Sequence, residues 1–152
     1  MAETLIEGPL ERAGNGGLRL LAGYIFGGNT TTDGDSKKIA MTTPIAQDRV
    51  GDQYRVRFMM TTQYTVESLP IPNDSRVTIS EVGPQCFAAI RYRGRWTRNG
   101  YGRHCRKPIN AISQAGHTVL GEPVWAPYDQ PWTPWFLRRN EILVELDEQA
   151  LD

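Results

Sequence analysis

The 152-residue chain predicts an α+β fold, a mainly antiparallel sheet carrying two helices. Three observations predict it. The window Pro9 to Phe26 repeats its apolar residues every three or four positions, the segments after it alternate at period two or are rich in β-branched residues, and the order strand, helix, strand, strand occurs twice. The regularity lies in the pattern and not in repeated residues, which makes two βαββ units.

Ala2 to Glu7 reads as a strand fragment. Gly8-Pro9 opens the first helix, because proline loses nothing at a position whose N–H has no helical partner. Leu10, Ala13, Leu18, Leu21, Ala22 and Ile25 form one stripe on it, and Gly27-Gly28-Asn29 ends it. Gly14, Gly16 and Gly17 inside the helix each cost up to about 1 kcal/mol relative to alanine, so something approaches closely there. A strand is the simpler neighbour and a flat ligand the sharper one. Beyond the polar turn Thr30 to Ser36, Lys38–Gln47 and Gln53–Gln63 form a hairpin about Gly51-Asp52. Tyr54, Val56, Phe58 and Met60 take one face of its second strand, and Arg55, Arg57 and Met59 the other. Past Leu69-Pro70 to Asn73-Asp74, Arg76–Val82 and Gln85–Arg93 read as a second hairpin about Gly83-Pro84. Trp96 to Ala115 is the second helix, which Pro108 should break or kink. Glu122–Ala126 and Asn140–Leu146 are the last strands, joined by an aromatic, proline-rich loop.

The length suits one domain over residues 1–152. Seventeen basic residues balance 17 acidic ones, so no net field draws the chain to nucleic acid or to an anionic membrane. Two cysteines, Cys86 and Cys105, make neither a zinc motif nor a disulfide framework, which fits a reducing cytoplasm. No run approaches the ~20 apolar residues of a membrane span, and the first residues carry Glu3 and Glu7 instead of a basic flank.

No catalytic triad order, nucleophile elbow, phosphate loop or dinucleotide fingerprint occurs. His104 lies among Arg103, Arg106 and Lys107 as on a solvated face, His117 follows a glycine in a turn, and Cys86 starts a strand as a packed thiol. Glu81 shares the alternating face of Val77 and Ile79; an inward carboxylate there is a salt-bridge partner, a ligand-binding group, or the sign of a different register. The Arg55, Arg57 and Met59 face offers cations beside a soft apolar side chain, as an anionic amphipathic ligand needs, although an ordinary outward sheet face is the favoured explanation. The segment Trp125 to Glu141 holds three of the four tryptophans and the pair Arg138-Arg139. It reads as a core plug, a lid over a pocket or a partner surface, with arginines able to meet a ligand's carboxylates or simply Asp129 and Glu141.

Four ordered blocks carry a resemblance: Leu21-Ala22-Gly23-Tyr24-Ile25-Phe26-Gly27-Gly28-Asn29, Lys38-Ile39-Ala40-Met41-Thr42-Thr43-Pro44-Ile45, Leu69-Pro70 to Asn73-Asp74, and Tyr128-Asp129 to Arg138-Arg139-Asn140-Glu141. Through them the chain resembles the SOUL haem-binding proteins. The resemblance implies a distorted antiparallel β-barrel of two βαββ units with two flanking helices, here with the first strand shortened. It implies non-covalent binding of haem or another tetrapyrrole in an apolar cleft beside the first helix, without chemistry, for carriage or sequestration. Leu18 and Ala22 match helix positions that line the cleft in relatives, while Leu21 and Ile25 join them by helical spacing. Met59 and Arg138 complete the expected contacts. The histidine ligand of some members has no counterpart, since neither His104 nor His117 matches it. A monomer or weak homodimer is expected, its exposed strand edge favouring association. Two rivals stand beside this reading: a small-molecule enzyme or effector-binding protein similar to the GyrI-like domains, using a pocket carboxylate such as Glu81, and a protein-interaction module using Trp132 and Trp135.

Overall fold

The computed structural model describes residues 1–40, 44–95, 97–129 and 132–147. Met41, Thr42 and Thr43 of the second block, Trp96 and residues 130–131 lie outside them. The fold is α+β, with antiparallel strands and two helices, and the chain divides into two compact units, Met1–Val82 and Gly83–Asp152. The division falls where the βαββ pattern begins again.

In the first unit, β1 (Ala2–Glu7) pairs with β4 (Gln53–Phe58) over all six residues, from Ala2 opposite Phe58 to Glu7 opposite Gln53. On its other side β1 pairs with the two-residue β6 (Thr78–Ile79), and β4 forms the predicted hairpin with β3 (Ile45–Val50). Gly51 adopts φ +60° in that turn, a conformation a residue with a Cβ rarely takes. The hairpin strands are shorter than the sequence predicts, and residues 38–40 precede β3 as irregular chain while Ile39 is buried. A separate two-stranded ribbon joins β2 (Asn29–Thr30) to β5 (Ile71–Pro72).

Helix α1 (Leu10–Ile25) starts one residue after Pro9, whose carbonyl accepts the N–H groups of Arg12 and Ala13. It stops in a Schellman arrangement: Gly28 N–H donates to Gly23 O (2.8 Å), Gly27 N–H to Tyr24 O, and Gly27 sits at φ +117°. The helical glycines let strands in. A Cβ on Gly17 would stand 2.5 Å from Val56 on β4, one on Gly14 2.8 Å from Gln47 Oε1 on β3, and one on Gly16 3.6 Å from Ile6 on β1. Strand packing therefore answers the glycine question, and Gly16-Gly17 opens no cleft. Leu21, Tyr24 and Ile25 join Ala2, Val56, Phe58 and Val77 in the core of this unit.

In the second unit, β7 (Cys86–Arg93) and β8 (Val119–Pro127) flank β9 (Arg139–Leu146), both antiparallel. The second predicted hairpin is thus wrong: β6 pairs with β1, β7 pairs with β9, and Gly83-Pro84 links strands that take other partners. Of the expected strand Arg76–Val82 only Thr78–Ile79 is extended and paired. Helix α2 (Arg98–Gln114) is capped by Thr97, whose hydroxyl accepts Gly100 N–H at 3.1 Å. It continues past Pro108 instead of breaking, with Pro108 buried. Its His104 stacks on Tyr92 of β7, ring centroids 4.3 Å apart, so it packs the helix on the sheet and is no part of a solvated face. Trp125, Val124, Ile142 and Val144 are buried in this unit.

Candidate functional site

Three of the motif blocks meet at the C-terminal end of α1. The Tyr24 hydroxyl donates to Pro70 O at 2.9 Å, drawing the third block onto the helix. Asn29, fully buried, donates through Nδ2 to Tyr24 O and to Lys37 O (2.8 Å) and accepts Lys37 N–H at Oδ1 (2.9 Å), which closes the segment leading into the second block. Asn73 N–H donates to Gly28 O at 3.0 Å and its Oδ1 accepts the Thr30 hydroxyl at 2.7 Å. These bonds give partners to helix-end and loop polar groups that would otherwise be left dry.

That corner holds a cavity of about 490 Å3, walled on the helix side by Arg19, Leu20, Gly23 and Tyr24 and on the loop side by Gly28, Asn73 and Asp74. Its size falls within the roughly 300–1,000 Å3 of small-ligand sites. Gly23 has nothing within 4 Å of where a Cβ would stand, so the wall there is flat and open, whereas a Cβ on Gly28 would meet Gly23 O at 2.7 Å. Burial and the neighbouring Tyr64 push the Tyr24 phenol up to about 12, keeping it a neutral donor to Pro70. Asp74 is held down to about 2 by its hydrogen bonds from Arg76, at 3.0 and 2.7 Å, and is therefore an ionised carboxylate paired with that guanidinium. Arg19 makes no ion pair among the described residues, which leaves a cation at the rim.

The predicted contact residues scatter. Leu21 and Ile25 are fully buried in the core, so the spacing that enlists them marks the inward stripe. Leu18 and Ala22 are half-buried on one flank of that stripe; at 3.6 residues per turn, Leu20 and Gly23 lie on the other, where the cavity is. Met59 is exposed just past the end of β4, and Arg138 lies in the second unit with Nε donating to Thr133 O at 2.7 Å. Neither lines the cavity. Arg55 and Arg57 are no free cationic face: both close on the buried carboxylate of Asp48, at 2.6 and 3.3 Å. Gly23, Tyr24, Gly28, Asn73 and Asp74 stand in the first and third motif blocks without being expected at a site, and their shared membership of those blocks is the signal that could have found it.

Glu81 is exposed outside β6 and acts on the amino-terminal ammonium, which burial pulls down and Glu3 and Glu81 push back up. It supplies no pocket carboxylate. Among the described residues no three of histidine, cysteine, aspartate and glutamate gather as metal ligands, and no helix is long and apolar enough to cross a membrane. Trp132 and Trp135 are exposed, so the proline-rich loop is no core plug, and Trp125 alone of its described tryptophans is buried.

A cavity of small-ligand size thus lies between the end of α1 and two loops of the first unit. The family model of the SOUL heme-binding protein matches residues 1–145, and the chain belongs to that family. A search among curated proteins found no match.

Proposed function

We propose that the first unit binds haem or a related tetrapyrrole non-covalently on the cavity flank of α1, for carriage or sequestration and without chemistry. Family membership supports the ligand class. The observation that carries the site is that residues of two motif blocks, Gly23, Tyr24 and Gly28 with Asn73 and Asp74, wall one cavity. Gly23 offers a flat wall on which a macrocycle can lie, Leu20 supplies apolar contact, and Arg19 stands ready for a propionate. The rest of such a ligand extends out over Leu18 and Ala22 only by crossing the helix, so those two belong to a competing pose on the other flank.

No histidine, cysteine or methionine lines the cavity, and the Tyr24 hydroxyl is engaged with Pro70. Binding that rests on burial and propionate pairing treats metal-free protoporphyrin and haem alike. Two free thiols accord with work in the cytoplasm, and the state we propose there is a monomer or weak homodimer.

The test is a titration of the purified chain with ferric haem and with protoporphyrin, following the Soret band and tryptophan quenching. Saturable one-to-one binding of both, weakened about tenfold or more by Gly23→Trp and retained in Leu18→Asp/Ala22→Asp, is the expected result. Loss only in the Leu18/Ala22 variant transfers the ligand to the other flank. Absence of saturable binding with either compound overturns the function.

A further inference from the structure

The second unit carries an exposed apolar tip in a basic setting. Within residues 132–137, Trp132, Trp135, Phe136 and Leu137 are 80, 50, 56 and 55% exposed. Four large apolar side chains in so short a stretch are a patch that solvent alone does not favour. The loop is shaped: Leu137 N–H closes a turn onto Pro134 O at 2.9 Å, Trp135 and Phe136 meet edge to face at 5.7 Å, and Arg138 Nε ties back to Thr133 O. A tip ordered in advance surrenders little entropy when it docks.

Arginines surround it. Gly94 N–H bonds Arg138 O at 3.3 Å, which brings the end of β7 to the loop, and the Arg95 guanidinium lies 5.1 Å from the centre of the Trp135 ring. Arg93 stands directly opposite Arg139 in the β7–β9 register, and the Arg139 guanidinium lies 4.4 Å from the centre of the Tyr128 ring, so two cations share one end of the sheet. Both line, with Arg91, Asp129 and Leu137, a cavity of about 640 Å3 beside the loop. Residues 91–95 and 128–141 together hold five arginines against Asp129 and Glu141, a local charge of +3 on a chain whose total is zero. Those two carboxylates are engaged, Asp129 by the Arg139 N–H and Glu141 by Arg91 and the Tyr128 hydroxyl.

We propose that this tip docks on an anionic bilayer surface, Trp132, Trp135, Phe136 and Leu137 entering the headgroup boundary while Arg93, Arg95 and Arg139 meet lipid phosphates and carboxylates. Indole and phenyl rings bordered by arginine match the amphipathic interface of a bilayer, and several cations act together on an anionic leaflet. A protein partner fits less well, because the apolar side chains protrude and the adjoining cavity is lined mainly by charged groups. The zero net charge, from which the sequence predicts no membrane attraction, averages this patch away.

The experiment is co-sedimentation of the full chain with vesicles of phosphatidylcholine plus phosphatidylserine and of phosphatidylcholine alone, with tryptophan emission and quenching by bromine-labelled lipid. Binding to the anionic vesicles, a blue shift with quenching, and about tenfold weaker partitioning of Trp132→Ala/Phe136→Ala are expected. Arg93→Gln should weaken binding about fivefold, and high salt should release the protein. Unchanged circular dichroism and thermal midpoint in these surface variants separate a lost contact from a lost fold. No binding to anionic vesicles, equal binding to both vesicle types, or binding indifferent to the tip variant overturns the proposal. Self-association of the chain that the tip variant abolishes, without vesicle binding, assigns the tip to a second copy and overturns it as well.

Discussion

In the first unit Arg55 and Arg57 turn onto the buried carboxylate of Asp48, Tyr24 commits its hydroxyl to Pro70 O, and Gly17 lets Val56 seat against the helix. In the second, Arg91 reaches Glu141 from the solvent side, Arg93 and Arg139 face each other, and Trp132 and Trp135 point outward. The same βαββ pattern thus serves two ends. One unit turns its arginines and Tyr24 onto its own interior and keeps an open cavity at a helix end; the other builds its core from Trp125, Tyr92 and Ile142 and carries cations and rings on its outside. Paired substitutions, one member in each setting, break or sharpen that contrast.

The largest difference is expected between tryptophans. Trp125→Ala removes a buried indole and should cost about 3–5 kcal/mol, whereas Trp132→Ala should stay within about 0.5 kcal/mol; urea unfolding of both variants reads the difference. Equal losses would mean that the 132–137 loop is part of the folded core.

Next come the ion pairs. Asp48→Asn strands Arg57, whose side chain is 14% exposed, and should cost about 2–4 kcal/mol, while Arg91→Gln, at a side chain 67% exposed, should cost about 1 kcal/mol or less because Tyr128 still donates to Glu141. A double-mutant cycle on each pair measures the coupling.

Glycines on one helix give the third contrast. Gly17→Ala forces Val56 to move and should cost about 1–3 kcal/mol, but Gly23→Ala meets open space and should be neutral or gain up to about 1 kcal/mol. The thermal midpoint of Gly17→Ala should fall while that of Gly23→Ala holds or rises.

The smallest and most shared effect is on pH. Burial pushes Tyr24 in the first unit and Tyr92 in the second up to about 12, against about 10 in an unfolded chain. Above pH ~10 the unfolded chain gives up these protons first, so this stabilisation is complete below that pH and is lost as the pH rises toward about 12. Phenolate absorbance should show tyrosines lagging in the folded protein, and urea midpoints should fall over the same window. A titration in which all tyrosines ionise together near pH 10 would contradict the burial of both.

Where the sequence reads truly, the interactions are local. Pro9, the apolar spacing of α1 and the Gly27-Gly28 stop lie within one segment, and so does the Gly51-Asp52 turn of the β3–β4 hairpin. Strand partners are a different matter, because the alternation of Thr78–Ile79 and Cys86–Arg93 says which faces are wet but not that β1 and β9 claim them. Periodicity likewise marks Leu21 and Ile25 as one stripe without telling core from cleft, and core wins. The cavity draws its walls from residues 19–28 and 73–75, so no single window shows it. Balanced composition hides the arginines about the 132–137 tip in the same way, since charge counted along a chain carries no position in space.

The most direct test of ligand placement is hydrogen exchange with and without saturating protoporphyrin, read peptide by peptide along the chain. Slowed exchange confined to residues 19–28 and 73–75, with 132–137 unchanged, is the predicted result. Protection of 132–137 with none at the end of α1 would contradict it and place the tetrapyrrole on the second unit instead.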